Sequence, residues 1–254
     1  MAELYSLLPE GLLVNRTFFA QHDVGPTAVD YYLRSGKIEQ VAHGLYRKPG
    51  PPLKWENVAY SLNFLGYDVH VGHVTAIGYH GYEHYLRLGF ARPIRVYSTQ
   101  KLPSWVEKLD VGPGFLVQKR NPFTDDSIGI IDVPFGTWDW PIPYSSAERA
   151  FLEFASTIQN AVGMHQLKVM LEGAIVLRAV LLQELLEACR SIKAKRIFLY
   201  LARTVHHPWY AHLDVSRIDI GSGKRQIVSG GILDEEFLIT VPPEFSDEQQ
   251  EPVW

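Results

Sequence analysis

Three observations predict an α/β chain of the mixed, α+β kind, with a small N-terminal unit ahead of a larger domain. Residues 25 to 48 read as a short helix, a glycine stop, a strand, a tight turn and a second strand. Pro49-Gly50-Pro51-Pro52 is the clearest linker in the 254 residues. Beyond it, helical and strand-forming stretches alternate up to a run of helices over residues 165 to 204, after which strands return.

In the first fifty residues, Leu4, Leu7 and Leu8 give a short helix ended near Pro9-Glu10-Gly11. Asn15 is placed to cap a second helix, Arg16 to Gln21, because its side-chain oxygen reaches amides that a first turn leaves unbonded. Phe18 and Phe19 are its core residues, and His22 to Gly25 is the turn. Pro26 suits the first position of a third helix, where its fixed φ is already helical. That helix runs to about Arg34. Val29, Tyr32 and Leu33 share its inner face at spacings of three and four, so Thr27, Asp30, Tyr31 and Arg34 point outward. Gly36 stops it. Ile38 and Val41-Ala42 make a strand, His43-Gly44 the turn, and Leu45 to Arg47 the returning strand. This order matches the second half of a winged helix-turn-helix, whose main use is to set one helix in the DNA major groove.

The second region opens with an amphipathic helix, Trp55 to Leu65, ended by Gly66. A strand at Asp68 to Gly72, a helix from about Thr75 to His80, and strands at Ile94 to Ser98, Phe115 to Lys119 and Ile128 to Val133 follow. Pro134, Gly136, Pro141 and Pro143 break the chain before a sharp helix start. There Ser145 and Glu148, three apart, predict a capping box ahead of Ala150 to Ala155. Two or three helices fill 165 to 204. Strands are expected at Ile218 to Ile220, Gln226 to Val228 and Phe237 to Val241, before an acidic tail, 247–254. The predicted domains are thus 1–50, 51–246 and the tail.

Composition narrows the function classes. Hydrophobic residues at 46% and charged residues at 20% are ordinary globular values. No apolar run approaches the ~18 residues that cross a bilayer, and the N-terminal Met-Ala-Glu-Leu-Tyr lacks the features of a signal peptide. Cys189 is the single cysteine, which excludes an intrachain disulfide framework and an all-cysteine metal site. A soluble cytoplasmic protein without membrane contact is expected. The net charge of −4 weighs mildly against DNA binding. Residues 1 to 50 carry five bases (Arg16, Arg34, Lys37, Arg47, Lys48) and five acids (Glu3, Glu10, Asp23, Asp30, Glu39). One neutral copy should bind weakly, so a dimer or paired sites are expected on DNA.

Several clusters invite chemistry. His80-Gly81-Tyr82-Glu83-His84 fits the H-x-x-E-H pattern, which needs both histidines on one helical face. Gly78 and Gly81 weaken a helix here, and a hydrogen-bonded aromatic turn accounts for the same residues. Gly221-Ser222-Gly223-Lys224-Arg225 lacks the upstream glycine and the hydroxyl residue of a Walker loop, and reads as a glycine hairpin carrying two bases. His206, His207, His212 and Asp214 surround Pro208-Trp209 in a structural loop, Asp125-Asp126 sits in a turn, and Cys189 is a core residue. No catalytic residue, metal or cofactor is assigned, and the chain is not expected to be an enzyme. The alternative is a metal-dependent hydrolase or nucleic-acid-processing enzyme built on His80, Glu83 and His84.

From Arg190 to Arg225 eight bases face two acids, Asp214 and Asp219. Arg190, Lys193, Lys195, Arg196, Arg203, Lys224 and Arg225 are read as either a solvated face or a surface for a negatively charged partner.

Four blocks in order carry a family resemblance: Gly36 to Arg47; His70 to Ala76 with His80 to Leu86; Ser145 to Ala150; and Lys195 to Leu199 through Gly221 to Arg225 to Phe237 to Val241. On these the chain resembles the AbiEi antitoxins of type IV toxin–antitoxin systems, abortive-infection proteins of phage defence. The resemblance implies an N-terminal winged helix that binds inverted repeats in double-stranded DNA upstream of its own operon and represses it. It also implies a C-terminal domain that counteracts a nucleotidyltransferase-type toxin, without requiring a stable complex. On this reading Thr27, Asp30, Tyr31 and Arg34 face base edges, while His43, Arg47 and Lys48 touch phosphate or the minor groove from the wing.

Overall fold

The computed structural model describes residues 7–82 and 92–247. In chain order the elements are β1 (Val14–Asn15), α1 (Arg16–Gln21), α2 (Pro26–Arg34), β2 (Glu39–Ala42), β3 (Leu45–Arg47), α3 (Trp55–Phe64), β4 (His70–Val71) and α4 (His73–Tyr79). They continue with β5 (Ile94–Tyr97), β6 (Phe115–Gln118), β7 (Ile130–Phe135), β8 (Trp140–Ser145), α5 (Ala147–Thr157), α6 (Ala161–Glu172), α7 (Ala179–Ala188) and α8 (Ile192–Thr204). Two 3-10 turns, Pro208–His212 and Val215–Arg217, precede β9 (Ile232–Asp234), β10 (Ile239–Val241) and α9 (Pro243–Asp247). The architecture is mixed α/β. The chain divides into two compact units: the described parts of 1–70, 89–120 and 132–143, and those of 71–88, 121–131 and 144–254.

The first unit holds the helix-and-ribbon segment. Asn15 caps α1 as expected, its side chain accepting from the Phe18 amide at 3.0 Å. Pro26 opens α2, and Gly36 reverses the chain at φ +68°, a backbone that favours glycine. The ribbon gains a strand that the pattern did not announce. β1 pairs antiparallel with β3, Val14 opposite Tyr46 and Asn15 opposite Leu45, so the sheet has three strands in the order β1-β3-β2. Two residues are too few for a period, but the preceding Leu12 and Leu13 are buried with Val14. Phe18, Phe19, Val29, Ile38 and Tyr46 close one apolar core with Trp140, and Tyr60 stacks on Trp140 at 4.5 Å between ring centroids.

A larger sheet follows the strand order β6-β5-β4-β8-β7, with β5 parallel to β6 and β4 parallel to β8. In the second unit, α5 is buried along almost its whole length. Its cap is Ser146, whose Oγ accepts from the Arg149 amide at 3.4 Å. The expected Ser145–Glu148 capping box therefore does not form. Ser145 instead donates to both carboxylate oxygens of Glu153 at 2.9 Å, and Glu148 turns to Arg178, accepting from its backbone amide and its guanidinium at 2.8–3.0 Å. The expected helical run resolves into α6, α7 and α8. Near the C-terminus the strands expected at 218–220 and 226–228 are absent. The Thr240 hydroxyl accepts from the Ile227 and Val228 amides and donates to the Val228 carbonyl, doing locally what a ladder would have done. β10 pairs with β9 instead.

Burial alone would push the Glu148 carboxyl up, but the hydrogen bonds from Arg178 more than reverse it, and its pKa lies below the ordinary value. A depressed folded pKa gives stability that is present above the unfolded value of about 4.3 and lost as pH falls through the folded value. Urea unfolding of Glu148→Gln should therefore show a smaller loss between pH 7 and pH 3 than the parent. Equal losses would remove Glu148 as a source of acid sensitivity. Among the described residues, no helix is long and apolar enough to cross a membrane.

Candidate nucleic-acid interface

In the first unit, α1, the turn at 22–25 and α2 form a helix-turn-helix, and β2–β3 form its wing. Asp23 in the turn sits at φ +57°, a left-handed backbone that aspartate tolerates better than most residues. α2 separates its faces as the spacing predicts: Val29 is buried, Tyr32 and Leu33 are half-buried, and Thr27, Asp30, Tyr31 and Arg34 are exposed. Tyr31 keeps 51% of its surface. Lys37, just past the helix, lies 5.8 Å and 5.7 Å over the rings of Tyr31 and Tyr32. The outward face thus combines aromatic edges, a hydroxyl and a guanidinium, groups that read base edges in a groove.

Arg16, which the sequence reading did not single out, belongs with this face. Its Nε donates to the Tyr46 hydroxyl at 2.9 Å and its Nη2 pairs with Asp30 at 3.3 Å, while its side chain stays 54% exposed. Asp30 is thereby occupied as a partner for Arg16. An open cleft of about 600 Å³ runs along α1 and the start of α2, lined by Arg16, Thr17, Gly25 and Pro26 among others.

The wing departs from expectation at one position. His43 is exposed at its tip and Lys48 is half-buried at its base. Arg47 is not an outward base: its side chain is 13% exposed, its Nε donates to Glu39 at 2.5 Å and its Nη1 to the Pro51 carbonyl at 2.8 Å. Glu39 and Arg47 are directly opposite in the β2–β3 register, where opposite charges attract across a strand pair. Arg47 ties the wing to the proline linker.

The other clusters resolve into structure. His80 Nε2 donates to the Ser145 carbonyl at 2.9 Å, and Glu83 and His84 lie outside the described residues. His207 donates to the Leu171 carbonyl, Trp209 to that of Ala174, and Asp214 caps a short turn through Ser216. Asp125 accepts from Ser127, and Asp126 from Asn121. Burial raises the Cys189 thiol pKa, as suits a core residue. Among the described residues, no group of three or more His, Cys, Asp or Glu is arranged to hold a metal.

The basic series of the second unit is not one surface. Arg196 and Lys195 are buried, because α8 lies inside the unit and long-range backbone carbonyls take the Arg196 guanidinium. Arg203 bridges Asp234 at 2.7 Å and Glu236, and lies over the rings of Tyr200 and Phe237. Lys193 donates to the Ile158 carbonyl and the exposed Arg190 to that of Thr124. Lys224 and Arg225 remain exposed.

Comparison with known proteins agrees with this architecture. The crystal structure of RV2827C protein from Mycobacterium tuberculosis is similar in fold, with a TM-score of 0.56 and 14% identity over 91% of this chain and 86% of that one. No curated protein matches the chain. Residues 1–88 match the model of the AbiEi antitoxin N-terminal domain, and residues 93–242 match that of the transcriptional regulator AbiEi antitoxin of type IV toxin–antitoxin systems. The chain therefore belongs to the AbiEi antitoxin family of transcriptional regulators.

Proposed function

We propose that the chain is a cytoplasmic autorepressor and antitoxin, with residues 1–50 binding inverted repeats upstream of its own operon. Residues 51–246 then counteract a nucleotidyltransferase-type toxin. The observation that carries the DNA reading is the outward face of α2, where Thr27, Tyr31 and Arg34 are exposed on a helix backed by a three-stranded wing. Arg34 and Tyr31 meet base edges, and Thr27 meets a thymine methyl or a base-edge acceptor. His43 and Lys48 set register on phosphate. Asp30 and Arg47 act indirectly, Asp30 by holding Arg16 and Arg47 by holding the wing. Because two of the five bases are paired with acids in this way, one copy carries little net charge for phosphates. Two copies on an inverted repeat make up the deficit.

Arg34→Ala should cost roughly 1–3 kcal/mol on the operator and relax the preference at one base pair. Lys48→Ala should weaken all sequences alike and reduce the salt slope by about 1. Gel-shift titrations over a salt series measure both. Sequence preference altered by Lys48→Ala but not by Arg34→Ala would overturn the division of labour, and no binding to any upstream repeat would overturn the DNA reading. Rescue of growth when the full chain is co-expressed with the product of the adjacent downstream gene tests the antitoxin half.

A further inference from the structure

The second unit buries one guanidinium in a way that shapes a loop. Arg196 on α8 is fully buried and donates to the carbonyls of Ile220 at 2.6 Å, Gly221 at 3.0 Å, Gly223 at 2.7 Å and Leu238 at 3.2 Å. The peptide bonds here are trans, and in a trans peptide the N–H points opposite to the C=O of the same plane. Carbonyls 220, 221 and 223 turned in on Arg196 therefore turn the amides of Gly221, Ser222 and Lys224 outward. Gly221 at φ +66° and Gly223 at φ +82° flank Ser222 at negative φ. That alternation makes successive amides converge into an anion-binding concavity.

One oxyanion already sits on this side. The Gly221 amide donates to the Asp219 carboxylate at 2.8 Å. Among the described residues, the amides of Ser222 and Lys224 bond to no acceptor. Around the loop four bases, Lys193, Arg196, Lys224 and Arg225, meet one acid, Asp219. Lys193 and Arg196 are both lowered from their usual pKa values, by burial first and by the proximity of Arg225 second, and Asp219 opposes this at Arg196. Lys224 and Arg225 are exposed at the loop's edge. Gly221 packs on Ile192, where a Cβ would stand 3.4 Å from its side chain, so the loop is supported from beneath as well as held from within.

We propose that residues 221–225 are a binding site for a phosphate group, taken by the Ser222 and Lys224 amides and flanked by the Lys224 and Arg225 side chains. The site is open, so it receives a phosphate carried at the exterior of a larger molecule. It differs from a nucleotide-binding P-loop in having no helix behind it: Arg225 goes straight into a bridge with Ile239. The inference stands apart from DNA binding by the winged helix.

The test is a titration of the ¹⁵N-labelled full chain with inorganic phosphate, against sodium chloride at equal ionic strength, followed by amide shifts. Saturable shifts at Ser222, Gly223 and Lys224 are expected with phosphate and not with chloride. The double variant Lys224→Gln/Arg225→Gln, both exposed positions, should weaken them about tenfold, the equivalent of one charge-assisted hydrogen bond. A nucleoside monophosphate and a dinucleotide phosphodiester, each competing with phosphate, distinguish a monoester from a backbone phosphate as the source, and either result supports the site. Shifts that do not saturate, that chloride reproduces, or that the double variant leaves unchanged overturn it. None of these outcomes bears on operator binding.

Discussion

Replacing Glu153 with alanine is expected to lower the unfolding free energy by about 3–5 kcal/mol, the range for breaking a buried ion pair from one side. Glu153 and Arg149 lie one turn apart on α5 with both side chains at 0% exposure, and their N···O distance is 2.9 Å. The Glu153 carboxylate also accepts from Ser145 Oγ and from the His73 amide at 2.9 Å. His73 opens α4 at φ +58°, so this one carboxylate fixes a strained helix start as well as a guanidinium. Without it, Arg149 retains the Ile128 carbonyl at 2.5 Å and the face of Phe123 at 4.6 Å, neither of which neutralises its charge. Its Nη2 is already buried without an acceptor among the described residues. Urea denaturation followed by far-UV circular dichroism measures the effect. Glu153→Gln, which keeps an acceptor but no charge, should fall between the parent and the alanine variant. A loss below about 1 kcal/mol in the alanine variant would show that water enters and solvates Arg149.

Arg196→Met should cost about 3 kcal/mol, because the replacement fills the same space but strands four backbone carbonyls that now share one guanidinium. Each buried acceptor left without a donor costs about 1–3 kcal/mol, and relaxation of the loop recovers part of the sum. The variant also separates two meanings of the glycine loop. If Arg196 sets the outward amides, Arg196→Met abolishes saturable phosphate shifts at Ser222 and Lys224. Lys224→Gln/Arg225→Gln, by contrast, leaves thermal stability near the parent's. A stable Arg196→Met protein with an unchanged loop spectrum would mean that the loop holds its shape by the glycines alone.

Most of the winged helix was legible because its signals are local. A cap at Asn15, a proline at position 26 and an outward face spaced at three and four residues each act within one or two turns. The Glu39–Arg47 pair was not: a regular hairpin around His43-Gly44 would set Gln40 across from Arg47, and the bulge between Gln40 and Ala42 brings Glu39 there instead. Arg47 was therefore read as a DNA contact, because pattern alone does not say whether a base on a wing faces solvent or an acid. At α5, two adjacent serines competed for the cap, and a carboxylate eight residues on claimed Ser145 and left the cap to Ser146.

The amino-acid order by itself determined the mixed α/β class, the helix-turn-helix with its ribbon, the outward side chains of α2 and the membership in the AbiEi family. Those follow from short-range periodicity, turn chemistry and motif order. Tertiary structure alone decided that β1 completes the wing sheet, that Lys195 and Arg196 are interior, and that the carbonyls of Ile220, Gly221 and Gly223 turn in on Arg196. Charge on a helix marks a surface only until a distant segment brings acceptors to it. For Arg196 those acceptors come from 24 to 42 residues away, a distance over which sequence spacing carries no information about contact.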